Sequence, residues 1–318
     1  MSSQSPLRPD FQMGRRRILS GASTAFAGLA VGGSSWQVLA QTTSNTSVPA
    51  PNEMRFGLVT YQWGKDMDLP TVIAACQAAE MGGVELRTEH RHRVEPALTK
   101  LERSEVKKRF ADSGIELIGY GSNCEFHSAD PAVVQKNIEQ TKELIHLMHD
   151  CGGSGVKVKP NGFASGVPRE KTIEQIGKAL QELAAYGEGY GQQIRLEVHG
   201  SNTSRLDVIR DIFQVAEHRN AAVCWNSNQE DLVSPGLATH FGMVKSRLGD
   251  TTHVRKLDDG DYPYAELFEL LLRANYQGWV LLEAHSNPED KVAAMKQQTA
   301  VFRSLLAAVR VKLAANQP

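Results

Sequence analysis

The sequence has few of the residues that mark disulfide-rich, nucleic-acid-binding or nucleotide-binding proteins. Its four cysteines are scattered and form no Cys-x-x-Cys pair, so we expect buried free thiols, although an oxidising compartment would permit disulfides. There are 35 basic against 36 acidic residues and no basic cluster, which argues against nucleic acid as a partner. No Gly-x-Gly-x-x-Gly follows the first apolar run, which disfavours an open doubly wound sheet.

A long, strongly hydrophobic run is also missing from the N-terminus. Residues 14–20 read GRRRILS, and the weakly apolar, uncharged stretch behind them ends in Val-Leu-Ala. Such a succession is typical of a secretory signal, and the arginine pair followed by Ile18 and Leu19 favours the twin-arginine route. The stretch is too rich in Gly, Ser and Ala for a bilayer span. We predict a signal peptide over residues 1–40, a periplasmic or otherwise exported protein, and no stable membrane insertion after cleavage; retention as a tether is the alternative.

The rest of the chain has the size of one enzyme domain. Residues 41–53 are polar and aperiodic and are predicted to form a flexible lead-in. Residues 54–314 then form the folded part, a normal length for a single α/β barrel. Removing residues 1–40 takes away four arginines and one aspartate, which leaves 35 − 4 = 31 basic and 36 − 1 = 35 acidic residues. The mature chain is therefore mildly acidic.

Short apolar runs alternate with longer amphipathic segments along this folded part. Each of eight strand-like runs precedes a helix-like segment, which is the order of elements in a (β/α)8 TIM barrel, an α/β fold. The predicted strands are 54–61, 83–87, 115–121, 155–162, 194–200, 221–228, 252–257 and 278–286. The predicted helices are 69–82, 96–114, 131–152, 168–188, 203–217, 236–248, 264–275 and 288–313.

Polar residues lie at the ends of six predicted strands, where a barrel places its active site. They are Glu85 and Arg87, Lys157 and Lys159, Glu197 and His199, Asn226 and Asn228, His253 and Lys256, and Glu283 and His285. Since residues i and i+2 of a strand face the same side, both Glu-x-His pairs point to the barrel mouth. Six such strand ends together predict a functional polar cluster rather than solvated loop residues.

Three of these strand ends carry groups that suit a metal ion. The carboxylates of Glu197 and Glu283 and the imidazole of His253 can converge across the barrel mouth. Carboxylate oxygens and a neutral imidazole nitrogen suit Mn²⁺, Mg²⁺, Co²⁺ or Zn²⁺. His199 and His285 would then orient the ligands or contact the substrate.

These motifs resemble the xylose isomerase-like TIM barrels, a superfamily that includes sugar phosphate isomerases and epimerases. Residues 78–87, AAEMGGVELR, are similar to its second strand, and residues 194–200, IRLEVHG, to its fifth, which carries a metal-binding glutamate. Residues 252–285 are similar to its C-terminal quarter, which has a metal-binding histidine and a Tyr-x-Gly-x-x-x-x-Glu run. The resemblance covers nearly all of residues 54–310.

The resemblance implies a metal site and an acid–base pair. Glu197, His253 and Glu283 are the implied ligands of a divalent metal. The two glutamates are also the implied pair that removes and returns a proton next to a carbonyl, while the metal stabilises the enediolate. The implied partner is a small-molecule carbohydrate.

The sixth strand departs from the family pattern. The family commonly has an aspartate there and a histidine three residues on, whereas this chain has Asn226 and Gln229. An asparagine can bind a divalent ion through its amide oxygen, but without charge. Three alternatives stay open: Asn226 serves as a fourth metal ligand, the ligand set is rebuilt with His199 or His285, or the site binds sugar through hydrogen bonds alone.

The remaining strand-end residues are assigned to catalysis and substrate binding. Lys157 is predicted to be catalytic, either by balancing the charge of an anionic substrate or an enolate or, if its pKa is lowered, by forming a Schiff base. The predicted substrate contacts are Glu85, Arg87, Lys159, His199, Lys256 and His285.

The leading functional hypothesis is a metal-dependent isomerase or epimerase of a free sugar, keto-sugar or derivative, since an exported enzyme is less exposed to phosphorylated sugars. A lyase or dehydratase would share the proton abstraction and then expel a β-substituent. A non-catalytic envelope sugar-binding protein would keep the barrel mouth without turnover. A DNA-repair endonuclease also occurs in this superfamily, but it needs a fuller three-metal ligand set, and an acidic exported chain disfavours it.

Overall fold

Residues 53–316 are described by a computed structural model of the protein. Eight parallel strands close into a barrel in chain order, and a helix follows each strand. The strands are β1 (Arg55–Val59), β2 (Gly83–Arg87), β3 (Glu116–Glu125), β4 (Gly155–Lys159), β5 (Gln193–Glu197), β6 (Ala221–Asn226), β7 (Leu248–Val254) and β8 (Trp279–Leu282). The helices are α1 (Leu69–Ala78), α2 (Lys100–Ser113), α3 (Pro131–Cys151), α4 (Arg169–Glu188), α5 (Leu206–Val215), α6 (Leu237–Val244), α7 (Tyr264–Arg273) and α8 (Lys291–Ala315).

The predicted single-domain (β/α)8 TIM barrel is therefore confirmed. The predicted signal peptide and all but the last residue of the lead-in lie outside the described residues, so both stay predictions. Among residues 53–316, no helix is long and apolar enough to cross a membrane. The four cysteines are buried free thiols, as expected.

The seventh strand is the element whose predicted bounds are most in error. It runs over Leu248–Val254 rather than 252–257. The start of β7 was predicted too late in the chain because Gly249 and Asp250 are atypical of strands. Gly249 stands there because a Cβ would lie 2.7 Å from the side-chain oxygen of Gln193. As a consequence, Lys256 follows the strand and is not part of it.

The helix ends follow local sequence rules. Thr99 and Glu102 form a reciprocal capping box at the start of α2, and the Asp130 side chain accepts from a backbone N–H at the start of α3. Both helices end at a glycine in the left-handed conformation, Gly114 with φ 73° and Gly152 with φ 89°. These capping residues fix where α2 and α3 begin and end, and therefore how long the loops to the neighbouring strands are.

The barrel interior is filled below its mouth. A small apolar cluster of Val59, Ile118, Trp279 and Leu281 is separate from the main core between strands and helices. The fully buried Arg195 donates to the Ser154 hydroxyl at 2.8 Å and to the Ile118 carbonyl at 3.2 Å. A Cβ on Gly155 would lie 2.7 Å from the Arg195 guanidinium carbon, so glycine gives this side chain its space.

The loops after β4 and β5 are fastened together at the barrel mouth. Asn161 and Gly200 form an isolated parallel bridge, and both have positive φ, 61° and 95°. A Cβ on Gly200 would lie 2.4 Å from the Asn161 Cα. The Asn161 side chain in turn hydrogen-bonds His199 Nδ1 at 3.0 Å, so this bridge positions a cavity residue.

Gly200→Ala is expected to lower the free energy of unfolding by about 1–3 kcal/mol, because the methyl group would clash with backbone at a positive φ. Urea denaturation followed by circular dichroism measures the change. Gly242→Ala is the matched control, since Gly242 lies exposed in α6 with no atom within 4 Å of a Cβ, and we expect no loss there. Equal stability of both variants would contradict the role of the bridge.

Candidate active site

A polar cavity of about 550 Å³ opens at the carboxyl ends of the strands. Its volume is in the range of pockets that bind small molecules. It is lined by Tyr61, Arg87, Lys159, Glu197, His199, Asn226, Ser227, Asn228, Gln229, Glu230, Arg255, Glu283 and His285. Both Glu-x-His pairs therefore reach the same cavity, as the strand periodicity predicted.

Most of the predicted site residues lie in this cavity or directly beneath it. The predicted residues that line it are Arg87, Lys159, Glu197, His199, Asn226, Glu283 and His285. Glu85, Lys157 and His253 are fully buried below, in contact with the lining residues. Lys256 is outside this set.

Glu197, His253 and Glu283 form the one group of at least three potential ligands found among residues 53–316, with ligand atoms all within 4.8 Å of one another. The Nδ1 atom of His253 lies 3.5 Å from Oε1 of Glu197 and 3.5 Å from Oε2 of Glu283. Neither ring nitrogen of this buried histidine has a hydrogen-bond partner among the described residues. Two carboxylates and an orphaned imidazole are a donor set that could hold a divalent metal.

Glu85 lies behind the histidine rather than in the cavity. Its Oε1 atom is 3.2 Å from Nε2 of His253, on the side of the ring away from the two other glutamates. This separation is short enough for an ion pair, but Nε2 and the Glu85 oxygens form no well-aligned hydrogen bond among the described residues. The predicted substrate contact is incorrect, because Glu85 is fully buried one layer below Arg87 on β2. Gly121 of β3 leaves it room, since a Cβ there would lie 3.0 Å from Oε1.

Lys157 is bound to Glu197 inside the barrel. Its Nζ atom donates to Oε2 of Glu197 at 2.6 Å, and both side chains are almost entirely buried. Burial alone would lower the pKa of Lys157, but the Glu197 carboxylate raises it above its ordinary value. The reverse holds for Glu197, since burial would raise its pKa whereas Lys157 and His253 hold it well below the usual range. A direct catalytic role or a Schiff base at Lys157 is therefore not supported, because the ammonium stays charged and does not reach the cavity.

Glu283 is paired with Arg87 across the mouth. The guanidinium donates to Oε1 of Glu283 at 2.9 Å and lies over the Tyr61 ring, 5.1 Å from its centroid. Burial and Glu197 would raise the pKa of Glu283, but His253 and Lys157 outweigh them and lower it. Glu197 and Glu283 are thus both carboxylates at neutral pH, able to accept a proton.

Asn226 points its amide nitrogen at Glu197. Nδ2 donates to Oε1 of Glu197 at 3.1 Å, so in this arrangement the side chain supports a ligand instead of being one. A half-turn of the amide would present its oxygen to a metal ion. Asn226 is therefore adjacent to Glu197, His253 and Glu283, and its use as a fourth ligand stays a prediction.

The other predicted substrate contacts divide into two cases. His199 and His285 line the cavity, and burial together with Lys159 lowers the pKa of His199, which keeps it neutral. Lys256 is an error of the sequence prediction. It pairs with Asp258 at 3.6 Å and with Asp259, because β7 ends before it.

Several lining residues were missed by the sequence reasoning. Arg255 donates to the Ser227 carbonyl at 2.8 Å and lies two residues after His253, so the period of two, applied within the predicted strand 252–257, could have found it. Tyr61 follows an apolar run and carries no charge to mark it. Asn123, which is not a lining residue but bonds Arg87 and Lys159, lies in the part of β3 beyond the predicted end at residue 121.

A buried carboxyl group holds the loop after β6. Asp231 accepts from the Tyr262 hydroxyl at 2.7 Å and from the Asn228 backbone N–H at 3.0 Å. Burial raises its pKa to about 7. This group lies in the short 3-10 helix Gln229–Leu232, whose first residues line the cavity.

The comparisons with known proteins agree with the family that the motifs indicated. Residues 73–229 match the family model described as xylose isomerase-like TIM barrel, so the chain is a xylose isomerase-like TIM barrel protein. No curated protein sequence matches.

Solved structures with the same fold are described as sugar epimerases or related proteins. One described as L-ribulose 3-epimerase is 18% identical with a TM-score of 0.71 and covers 83% of this chain and 100% of its own. The 3-keto-D-glucoside 4-epimerase YcjR from E. coli is 16% identical, with a TM-score of 0.67 and coverage of 79% and 100%. An IolI protein described with a binding zinc atom is 13% identical, with a TM-score of 0.68 and coverage of 80% and 99%.

The ion pair inside the barrel gives a first prediction for the site. Lys157→Met is expected to lower the free energy of unfolding by about 3–5 kcal/mol, because Glu197 is left buried without its cation. Lys157→Met/Glu197→Gln should recover much of that loss. Denaturant unfolding in the presence of a chelator measures both, and Lys108→Met, at an exposed helix pair, should change little. A double variant no more stable than the single one would contradict the pairing.

Asp231 gives a second prediction for the site, on pH dependence. A carboxyl whose pKa is raised to about 7 on folding binds more protons folded than unfolded, so its contribution to stability falls as pH rises from about 4 to 7. Asp231→Asn should remove this term, which amounts to at most about 1.4 kcal/mol per pH unit. Unfolding free energies at a series of pH values test it. Parallel pH profiles for the two proteins would show that Asp231 ionises normally.

Proposed function

We propose that the protein is a metal-dependent isomerase or epimerase of a sugar or keto-sugar that works by proton abstraction next to a carbonyl. The observation that carries this proposal is the pair of ionised carboxylates, Glu197 and Glu283, which flank His253 at the floor of a sugar-sized cavity. The structural neighbours described as sugar epimerases support it at the level of reaction type.

Either glutamate is suited to take the proton from the carbon next to the carbonyl as a base and, once protonated, to return it as the acid. Each keeps one oxygen occupied by a cation, Lys157 for Glu197 and Arg87 for Glu283. The second oxygen of each faces His253 and the cavity floor. Fixed partners hold these carboxylates in one orientation, which favours proton transfer at a defined atom. His199, His285 and Asn228 line the cavity above and would orient sugar hydroxyls.

Glu197, His253 and Glu283 would hold the divalent metal. The fit rests on the two ring nitrogens of His253, which are buried without hydrogen bonds, and on the charge of the flanking carboxylates. When bound, such an ion supplies Lewis-acid polarisation of substrate oxygens. The neighbour described with a zinc atom supports a metal in this fold. We further propose that residues 1–40 direct export by the twin-arginine route.

The metal and the acid–base pair are tested together. Purified wild-type protein should contain about one equivalent of Mn, Co, Zn or Mg, and Glu283→Gln/His253→Ala should contain none, by elemental analysis. Keto-sugars in D2O should gain deuterium next to the carbonyl, followed by NMR. Glu197→Gln and Glu283→Gln should each slow that exchange by about 10²–10⁴-fold, the usual contribution of general-base catalysis.

Lys256→Met is the matched control, because its ammonium pairs with surface aspartates outside the cavity. It should retain metal and exchange. A wild-type protein that stays free of metal after incubation with each ion would overturn the metal site. A metal-loaded protein that exchanges no proton on any keto-sugar would leave sugar binding without turnover as the better account.

A further inference from the structure

One wall of the cavity has two cationic side chains, and only one of them is paired with a carboxylate. This cationic wall consists of the lining residues Arg87 and Lys159, and Asn123 hydrogen-bonds both of them. The Asn123 side-chain oxygen accepts from Nη2 of Arg87 at 3.3 Å and from Nζ of Lys159 at 3.3 Å. A single neutral oxygen therefore holds a guanidinium and an ammonium within about 7 Å of each other, at the upper limit set by those two bonds.

The two cations differ in how their charge is compensated. Arg87 has its own carboxylate, Glu283, at 2.9 Å. Among residues 53–316, no carboxylate oxygen lies within 4.0 Å of the Lys159 ammonium, and its one hydrogen-bond partner is Asn123. Lys159 nevertheless lines the cavity, half-buried, and burial together with the nearby Lys157 lowers its pKa. A cation that lies near other cations and is partly removed from water is destabilised, and the binding of an anion offsets that cost.

We propose that the cavity takes an acidic sugar, whose carboxylate is bound by Lys159 with Arg87 beside it. This inference rests on the proposed function and adds the substrate class. The Lys159 ammonium, which has no carboxylate oxygen within 4.0 Å among residues 53–316, matches the single charge of a carboxylate better than a phosphate, which carries about −1.5 to −2 at neutral pH. Because Arg87 is bonded to Glu283, a carboxylate bound beside Arg87 would lie close to the proposed acid–base pair.

A binding experiment tests the proposal without turnover. Kd values are measured by calorimetry on the full-length mature protein for D-glucuronate and D-galacturonate, for D-glucose and D-galactose, and for D-glucose 6-phosphate. The wild type should bind at least one uronate at least tenfold more tightly than the neutral sugar of the same configuration. Lys159→Met should abolish that preference, and Lys159→Arg, which keeps the charge, should retain most of it. Higher salt should weaken the uronate more than the neutral sugar.

Lys256→Met again serves as the matched control, because it removes a lysine outside the cavity and should leave the uronate preference unchanged. Thermal unfolding of each variant confirms that it is folded. Equal affinity for uronate and neutral sugar, no binding of either uronate, or a preference that survives Lys159→Met would each overturn the proposal. A Lys159-dependent preference for the phosphate would overturn the assignment to carboxylates.

The inference and the proposed function fail separately. Uronate binding that depends on Lys159, in a metal-loaded protein that exchanges no proton on any keto-sugar, would refute the isomerase and leave the anion site standing. Proton exchange on neutral keto-sugars that is indifferent to Lys159→Met would leave the isomerase standing and refute the anion site.

Discussion

The ion pair between Lys157 and Glu197 is the constraint on which the candidate site depends. Two full charges are held away from water, and each is tolerable only because the other lies 2.6 Å away. The same rule repeats across the mouth, where Arg87 faces Glu283 and the His253 ring faces Glu85. The carboxylates of Glu197 and Glu283 therefore each have one fixed cation, and these two side chains are oriented before any ligand arrives.

The sequence was sufficient to predict the fold and the face of the barrel on which the site lies. Strand parity placed Glu197, His199, Glu283 and His285 around one cavity, and it did so because side chains alternate strictly along a strand. The alternation of side chains along a strand does not predict how deeply each side chain is buried. Lys157 and Lys159 share a face and a motif, yet the first is sealed beneath the floor and the second lines the cavity.

The remaining errors come from strand bounds and from residues whose importance depends on their partners. Lys256 was assigned to the site because β7 was predicted to extend too far, and Asn123 was overlooked because β3 was predicted to end too early. Asn226 was expected to bind metal as a weak substitute for aspartate. Its neighbours explain its placement differently, since Glu197 already has a cation in Lys157 and takes the Asn226 amide as a second donor.

Arg195 and the apolar cluster around it determine how a ligand can enter and leave the cavity. They fill the end of the barrel opposite the cavity, where glycines let the guanidinium lie between the strands. A molecule that enters the cavity at the mouth of the barrel therefore has to leave through the same opening. For the proposed isomerase, substrate and product would share this one opening, so inhibition by product should be competitive with substrate.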